Sequence, residues 1–121
     1  ERREHQDAGQ DERLLDGRAH LTFANAMAGG HEVRTVEDLE QNGVLDPVQQ
    51  GFMQCHGLQC GFCTPGMLMT ARALLDRNPD PTEHEIRAAI SGQICRCTGY
   101  ATIVRSVRWA AEHEARGFEA P

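Results

Sequence analysis

Two short stretches of the sequence resemble each other, and the predicted fold is built around them. Residues 60–66 read CGFCTPG, and residues 95–100 read CRCTGY. In each stretch a pair of cysteines is followed by threonine and glycine, and a row of apolar residues at helical spacing comes next. Each cysteine pair is therefore predicted to lie just before the N-terminus of a helix.

The part of the chain from residue 46 onward is predicted to form four helices. Each segment carries apolar residues three or four apart, and the first three begin with a helix-capping signal. The four starts are Asp46-Pro47, Thr64-Pro65, the capping box at residues 82–85 and Tyr100. The second helix is predicted to end near Asn78-Pro79, the third at Gly92 and the fourth near Arg116. Four short helices with brief connections indicate a compact helical bundle.

The N-terminal part of the chain carries weaker signals. Residues 1–13 hold almost no apolar side chain and are predicted to form a polar tail. Strand-like features follow: alternation over Ala19, Leu21 and Phe23, a turn at Gly29-Gly30, and a second extended piece at Val33 and Val36. The chain is therefore predicted to divide into residues 1–45, a tail with a short β segment, and residues 46–121, the helical domain.

The composition excludes several classes of protein. A chain of 121 residues holds one compact domain with an extension. The formal net charge is -6, and all 12 basic residues are arginines scattered among acids, so no nucleic-acid partner is expected. The chain has no apolar run of about 20 residues and does not open with a basic and then apolar segment. We therefore expect no membrane span and a cytoplasmic protein.

The five cysteines favour metal ligation over disulfides, because no export signal is present. Two close pairs supply four thiolates, which suit a [2Fe-2S] cluster or a tetrahedral zinc ion. A cluster carries negative charge, which two converging helix N-termini would stabilise. Thiol redox chemistry is a third interpretation, although a thioredoxin-type pair would follow a strand. The fifth cysteine, Cys55, is expected to be a small buried hydrophobe of the first helix.

The two motifs together resemble a known family. Residues 57–67, GLQCGFCTPGM, followed by residues 94–100, ICRCTGY, are similar to the small iron-sulfur subunit of the xanthine oxidase family of molybdenum hydroxylases. The resemblance covers residues 46–112. It implies that one [2Fe-2S] cluster is ligated by Cys60, Cys63, Cys95 and Cys97. It also implies that Cys97 approaches the pterin of a molybdopterin cofactor and that Gln59 hydrogen-bonds that pterin.

The resemblance further implies a function within a larger assembly. The chain would be the electron-transfer subunit of a molybdenum-containing hydroxylase or dehydrogenase, with no substrate-converting centre of its own. Its partners would be a large molybdopterin-binding subunit and a flavin subunit that carries FAD. Electrons would pass from the molybdopterin centre through the cluster to a further acceptor. A zinc-stabilised adaptor domain and a free-standing ferredoxin-like carrier are the alternatives.

The N-terminal part departs from that family, whose small subunit opens with a plant-type ferredoxin domain carrying a second cluster. Residues 16–19 and 30–37 resemble the turn and the strand around the last ligand of that domain. Phe23 stands where the cysteine would be, and residues 1–54 contain no cysteine. The expected fold is therefore mainly α: a four-helix bundle [2Fe-2S] domain preceded by a short degenerate β-rich remnant of a plant-type ferredoxin domain. Either a natural reduction or a sequence that omits part of a longer subunit would give this pattern.

Overall fold

The computed structural model describes residues 28–116, in which four α-helices follow one short 3-10 helix. The 3-10 helix covers Val36–Leu39. The α-helices are α1 (Pro47–Gln54), α2 (Thr64–Arg77), α3 (Glu83–Ile90) and α4 (Ala101–Ala115). This part of the chain is mainly helical, and the four predicted helices are confirmed. None of its helices has the length and apolar character needed to cross a membrane.

Capping chemistry fixes where α1 and α3 begin. The Asp46 side chain accepts a hydrogen bond from the Val48 N–H at 2.8 Å, and the Gln49 side chain accepts one from the Asp46 N–H at 2.9 Å. Thr82 and Glu85 form the same reciprocal capping box ahead of α3. These bonds satisfy backbone donors that a first helical turn leaves unpaired, and such a cap is worth about 1 kcal/mol.

The hydrophobic core lies where the apolar stripes of the four helices meet. Phe52 of α1, Met67 of α2, Ile86 of α3 and Ile103 of α4 are almost completely buried. A fully buried side chain of this kind contributes about 1.5–3 kcal/mol relative to an exposed one. The helices are therefore held together mainly by this shared core.

Gly51 sets the distance between α1 and α4, which form the most extensive helix pair of the described residues. A Cβ on Gly51 would lie 2.4 Å from the backbone oxygen of Ser106 and 3.3 Å from the Trp109 ring. Only a residue without a side chain allows the two backbones to come this close. Gly57, just after α1, also lies close to Ser106, since a Cβ there would be 2.5 Å from the Ser106 hydroxyl oxygen. The close approach therefore continues toward the chain segment that leads into the first cysteine pair.

Arg72 joins three parts of the bundle through ion pairs. Its side chain is 12% exposed and lies 3.4 Å from Asp46, 2.8 Å from Asp76 and 3.0 Å from Glu114. Burial raises the pKa of the Asp46 carboxyl, although the hydrogen bond from the Val48 N–H and the charge of Arg72 act in the opposite direction. Arg72 thus supplies the positive charge that a buried carboxylate requires.

Residues 28–45 depart from the predicted β segment. Gly29-Gly30 forms a turn, as predicted. Val33 lies in irregular backbone, and Val36 begins the 3-10 helix, so the predicted extended piece is wrong at Val36. The described residues contain no strand, and only an isolated bridge joins Gln41 and Val44. The predicted tail and the alternation near Phe23 lie outside the described residues.

Leu39 gives the physical reason for this difference. Leu39 is buried in the helical core, and Val36 packs against the same core. Residues three apart share one face of a 3-10 helix, whereas in a strand they point to opposite faces. The 3-10 helix therefore buries both side chains at once, against α2.

Candidate metal centre

The two cysteine pairs come together at one cavity. The first cysteine loop, residues 59–63, lies between α1 and α2, and the second cysteine loop, residues 93–99, lies between α3 and α4. Residues 59–63 and 94–97 line a cavity of about 230 Å³. The structure thus brings together the four cysteines that the sequence singled out, and Gln59 lies with them.

Backbone turns direct the first cysteine loop into α2. The Gly57 N–H donates to the Phe52 carbonyl at 2.8 Å, which closes α1. Gly61 has a φ of 82°, a conformation that glycine adopts without strain, and its carbonyl accepts from the Thr64 N–H at 3.3 Å. Cys63 is the N-cap residue of α2. Cys60 and Cys63 therefore lie directly before a helix, at its N-terminus, as predicted.

Hydrogen bonds hold the second cysteine loop in a compact shape. The sulfur of Cys95 lies 3.1 Å from the Thr98 hydroxyl, which also accepts from the Tyr100 N–H at 3.2 Å. The Tyr100 hydroxyl accepts from the Cys95 N–H at 2.9 Å and donates to the Gln93 carbonyl at 3.0 Å. Helix α4 begins at Ala101, so the second pair also precedes a helix N-terminus.

The cysteines pair across the two loops. The Cys97 thiol interacts with Cys60, and the Cys95 thiol interacts with Cys63, while Cys60 also lies near enough to Cys95 and Cys63 to interact with them through charge. Cys60 and Cys97, the outer pair, are exposed. Cys63 and Cys95, the inner pair, both contact the core. Cys63 is half-buried, and Cys95 is buried. Each pair therefore takes one sulfur from each loop, and the two pairs differ in their access to solvent.

The surroundings of the thiols favour ionisation of one sulfur in each pair. The Phe62 N–H, followed by the neighbouring thiol, lowers the pKa of Cys60. Burial raises the pKa of Cys63 to about 11, and its hydrogen bond to Cys95 adds to this. Burial also acts to raise the pKa of Cys95, but hydrogen bonds from the Thr98 hydroxyl and from backbone N–H groups lower it to about 7. The thiolate is the form that ligates a metal, so these donors prepare the sulfurs for ligation.

The four thiols of the cavity form a donor set that fits a [2Fe-2S] cluster, which needs four thiolates. A [2Fe-2S] cluster takes two thiolates at each iron, and the cavity offers two pairs of sulfurs.

Comparison with known proteins identifies the family. The family described as "[2Fe-2S] binding domain" matches residues 35–108. This chain belongs to the [2Fe-2S] binding domain family. The match includes both cysteine loops. Because the family is described by its [2Fe-2S] cluster, the match confirms the [2Fe-2S] cofactor that the sequence predicts.

The relatives of this [2Fe-2S] binding domain chain are subunits of oxidoreductases. It is 54% identical over 97 residues to the nicotine 6-hydroxylase small subunit of Paenarthrobacter nicotinovorans, with 78% of this chain and 58% of the relative covered. It is 53% identical over 78 residues to the nicotinate dehydrogenase small FeS subunit of Eubacterium barkeri, with 64% and 50% covered. The chain thus spans little more than half the length of these relatives. They confirm the resemblance to small iron-sulfur subunits of molybdenum hydroxylases.

A solved structure has the same fold as this [2Fe-2S] binding domain. Quinoline 2-oxidoreductase from Pseudomonas putida 86 aligns with a TM-score of 0.68 at 47% sequence identity. The alignment covers 74% of this chain and 57% of the matched chain. Shared fold and high identity together support the helical arrangement described above.

Sequence reasoning missed Tyr100 and Gln93 as parts of the site. The sequence predicts Tyr100 only as the start of the fourth helix, and Gln93 carries no signal of its own. Their roles depend on how the second cysteine loop folds back, which spacing alone does not reveal. The leftover thiol, Cys55, is half-buried at the end of α1, and burial raises its pKa. It does not line the cavity.

Proposed function

We propose that the chain holds one [2Fe-2S] cluster between its cysteine loops and serves as the electron-transfer subunit of a molybdenum-containing hydroxylase. The observation that carries this proposal is the single cavity lined by four cysteines from two loops. Cys60 and Cys97 would ligate one iron, and Cys63 and Cys95 the other. When bound, such a cluster accepts and releases one electron. The relatives, which are small subunits of a nicotine hydroxylase and a nicotinate dehydrogenase, support the same role.

The protein's own groups suit a site that gains negative charge. The Phe62 N–H is directed at Cys60, and the Thr98 hydroxyl and nearby N–H groups are directed at Cys95. The N-termini of α2 and α4 lie directly after the two loops and add the positive ends of two helix dipoles. Hydrogen bonds to sulfur and positive dipoles both favour reduction of a cluster.

The open side of the cavity is the surface that we assign to the partner. The apolar side chains of Phe62 and Ile94 line this cavity and are 93% and 85% exposed. Large apolar side chains exposed beside a functional site are typical of a protein interface. The partner would be the large molybdopterin-binding subunit. Gln59 and Cys97, both exposed at the same cavity, would face its pterin.

The remaining assignments concern the N-terminal part and the setting of the complex. We place the domain boundary between residues 45 and 46, with a degenerate ferredoxin remnant in residues 1–45. The resemblance of residues 16–19 to the family's turn supports this remnant. Within residues 28–45, Leu39 is buried against the helical core. We assign the complex to the cytoplasm, where thiols stay reduced and available to ligate a cluster. A flavin subunit carrying FAD would receive the electron.

Iron and sulfide analysis of the full chain, purified in its complex, tests the cofactor assignment. We expect two irons and two sulfides per chain, with an EPR signal that develops on reduction. Replacing any one of Cys60, Cys63, Cys95 or Cys97 by serine should cause loss of the cluster. Cys55→Ser is the matched control and should retain both irons. One zinc per chain without visible absorption would overturn the assignment.

Copurification tests the partner surface. The double variant Phe62→Ser and Ile94→Ser should lose the large subunit on affinity purification while keeping its visible spectrum. Val44→Ser, which removes an exposed apolar side chain away from the cavity, is the control and should keep the partner. Undiminished association of the double variant would contradict this docking surface. A wild-type chain that always purifies alone with its cluster would favour the free-standing carrier.

A further inference from the structure

The geometry points to Tyr100 as a positioning residue that holds the second cysteine loop and thereby sets the reduction potential and the retention of the cluster. This inference rests on the proposed function, because it concerns the same site. Tyr100 does not line the cavity. It acts through the backbone of the loop that carries Cys95.

The Tyr100 hydroxyl makes two hydrogen bonds to the chain that precedes it. It accepts from the Cys95 N–H at 2.9 Å and donates to the Gln93 carbonyl at 3.0 Å. The ring is half-buried and packs against the core, so the hydroxyl has a fixed position. One side chain thus ties the start of the second cysteine loop to its end.

The backbone of Tyr100 is strained, which indicates that its side chain has a specific role. Tyr100 has a φ of 71° and a ψ of -22°, the left-handed conformation that a bulky residue rarely adopts. Glycine would adopt it freely, as Gly99 does with a φ of 68°. The strain is held by two bonds, from the Tyr100 N–H to the Thr98 hydroxyl at 3.2 Å and from the Val104 N–H to the Tyr100 carbonyl at 3.0 Å. Strain of this kind persists where surrounding contacts compensate it.

Gln93 connects the Tyr100 contact to the helix that follows the first cysteine loop. The Gln93 side chain donates to the Thr70 hydroxyl of α2 at 3.2 Å, while its carbonyl accepts from Tyr100. Gly66, in the first turn of α2, leaves room for it, since a Cβ there would lie 2.7 Å from the Gln93 side-chain oxygen. Because α2 begins directly after Cys63, this brace of Tyr100 and Gln93 fixes the position of one cysteine loop relative to the other.

The brace also affects the hydrogen bonds that reach sulfur. The Thr98 hydroxyl lies 3.1 Å from the sulfur of Cys95, and backbone N–H groups of the same loop are directed at that sulfur. Their directions depend on the loop shape that Tyr100 holds. Donors to the sulfurs raise the potential of a cluster, because they stabilise the added electron. Loss of the Tyr100 hydroxyl is therefore expected to lower the potential and to loosen the site.

Tyr100→Phe tests the inference, because it keeps the ring and removes only the hydroxyl. We expect an EPR-monitored titration of the variant complex to give a more negative midpoint potential and altered g-values. Release of iron to a chelator should become faster by about tenfold, the factor that corresponds to about 1.4 kcal/mol. Thr82→Val is the matched control. It also removes a hydroxyl that makes two hydrogen bonds, both to Glu85 at the start of α3, and it should leave the potential unchanged.

The outcomes separate this inference from the proposed function. A wild-type chain without iron would overturn both. Two irons in the wild type, with the same potential, g-values and release rate in Tyr100→Phe, would overturn only the positioning role. If Tyr100→Phe folds poorly, Gln93→Leu probes the brace from its other end. It should move the potential in the same direction, and an unchanged potential would refute the brace.

Discussion

The substitution Gly51→Ala tests how the contact between α1 and α4 supports the site. A Cβ at this position would lie 2.4 Å from the backbone oxygen of Ser106. An unstrained contact between carbon and oxygen needs about 3.3 Å. Because the obstructing atom belongs to a helix backbone, it cannot rotate away, and the two helices must separate by roughly 1 Å.

The size of the effect follows from two opposing contributions. Overpacking of a core contact costs about 1–3 kcal/mol, and a clash with backbone belongs at the upper end of that range. Alanine recovers about 1 kcal/mol, since it is the better helix former. The expected net loss is about 2 kcal/mol in the free energy of unfolding, which lowers the melting temperature by roughly 10 °C in a domain of this size.

Thermal unfolding followed by circular dichroism measures this loss on the cluster-loaded chain. Gly92→Ala is the control, because a Cβ there meets nothing within 4 Å, and it should stay within about 0.5 kcal/mol of the wild type. Since α1 leads into the first cysteine loop, Gly51→Ala should also release iron faster. Equal stability of the two variants would refute the close contact between α1 and α4.

Three further predictions concern charge, pH and loop shape. Arg72→Leu should lower the free energy of unfolding by about 2–3 kcal/mol in urea titrations, because Asp46 stays buried without its positive partner; a loss below about 0.5 kcal/mol would contradict this. Hydrogen bonds from the Thr82 N–H and hydroxyl lower the pKa of Glu85 below 4.5, so its stabilisation is present above that pH and is lost as pH falls further. Glu85→Gln should therefore flatten the dependence of the melting temperature on pH in acid, and a curve parallel to the wild type would count against the capping box. Gly61→Ala should cost about 1–2 kcal/mol through backbone strain alone, seen as faster iron release with unchanged helix content; a release rate equal to the wild type would argue against the left-handed turn.

The sequence predicted the helices well because their signals are local. Asp46 and Thr82 cap helices through residues two or three positions away, so their effect can be read without knowing the fold. The 3-10 helix could not be predicted, because it depends on the contact of Leu39 with a core built by distant residues. Tertiary contacts of this kind override local preferences for an extended backbone.

The candidate site shows the same division between local and tertiary information. Spacing indicated that Cys60 and Cys63 belong together with Cys95 and Cys97. Spacing could not indicate that Cys60 interacts with Cys97 and Cys63 with Cys95. This pairing depends on how α2 and α3 lead the chain from the first cysteine loop back to the second. The left-handed backbone of Tyr100 is equally invisible in a sequence, since glycine is the residue expected there.

Because the cysteines pair between the loops, a bound cluster would be a covalent crosslink of the chain as well as the proposed electron carrier. Iron bonded to both Cys63 and Cys95 would close a loop with 31 residues between them. In the chain-entropy account of disulfides, a closure of this length stabilises the folded state by about 3–4 kcal/mol. A chain that loses its cluster would therefore also lose a constraint on α2 and α3.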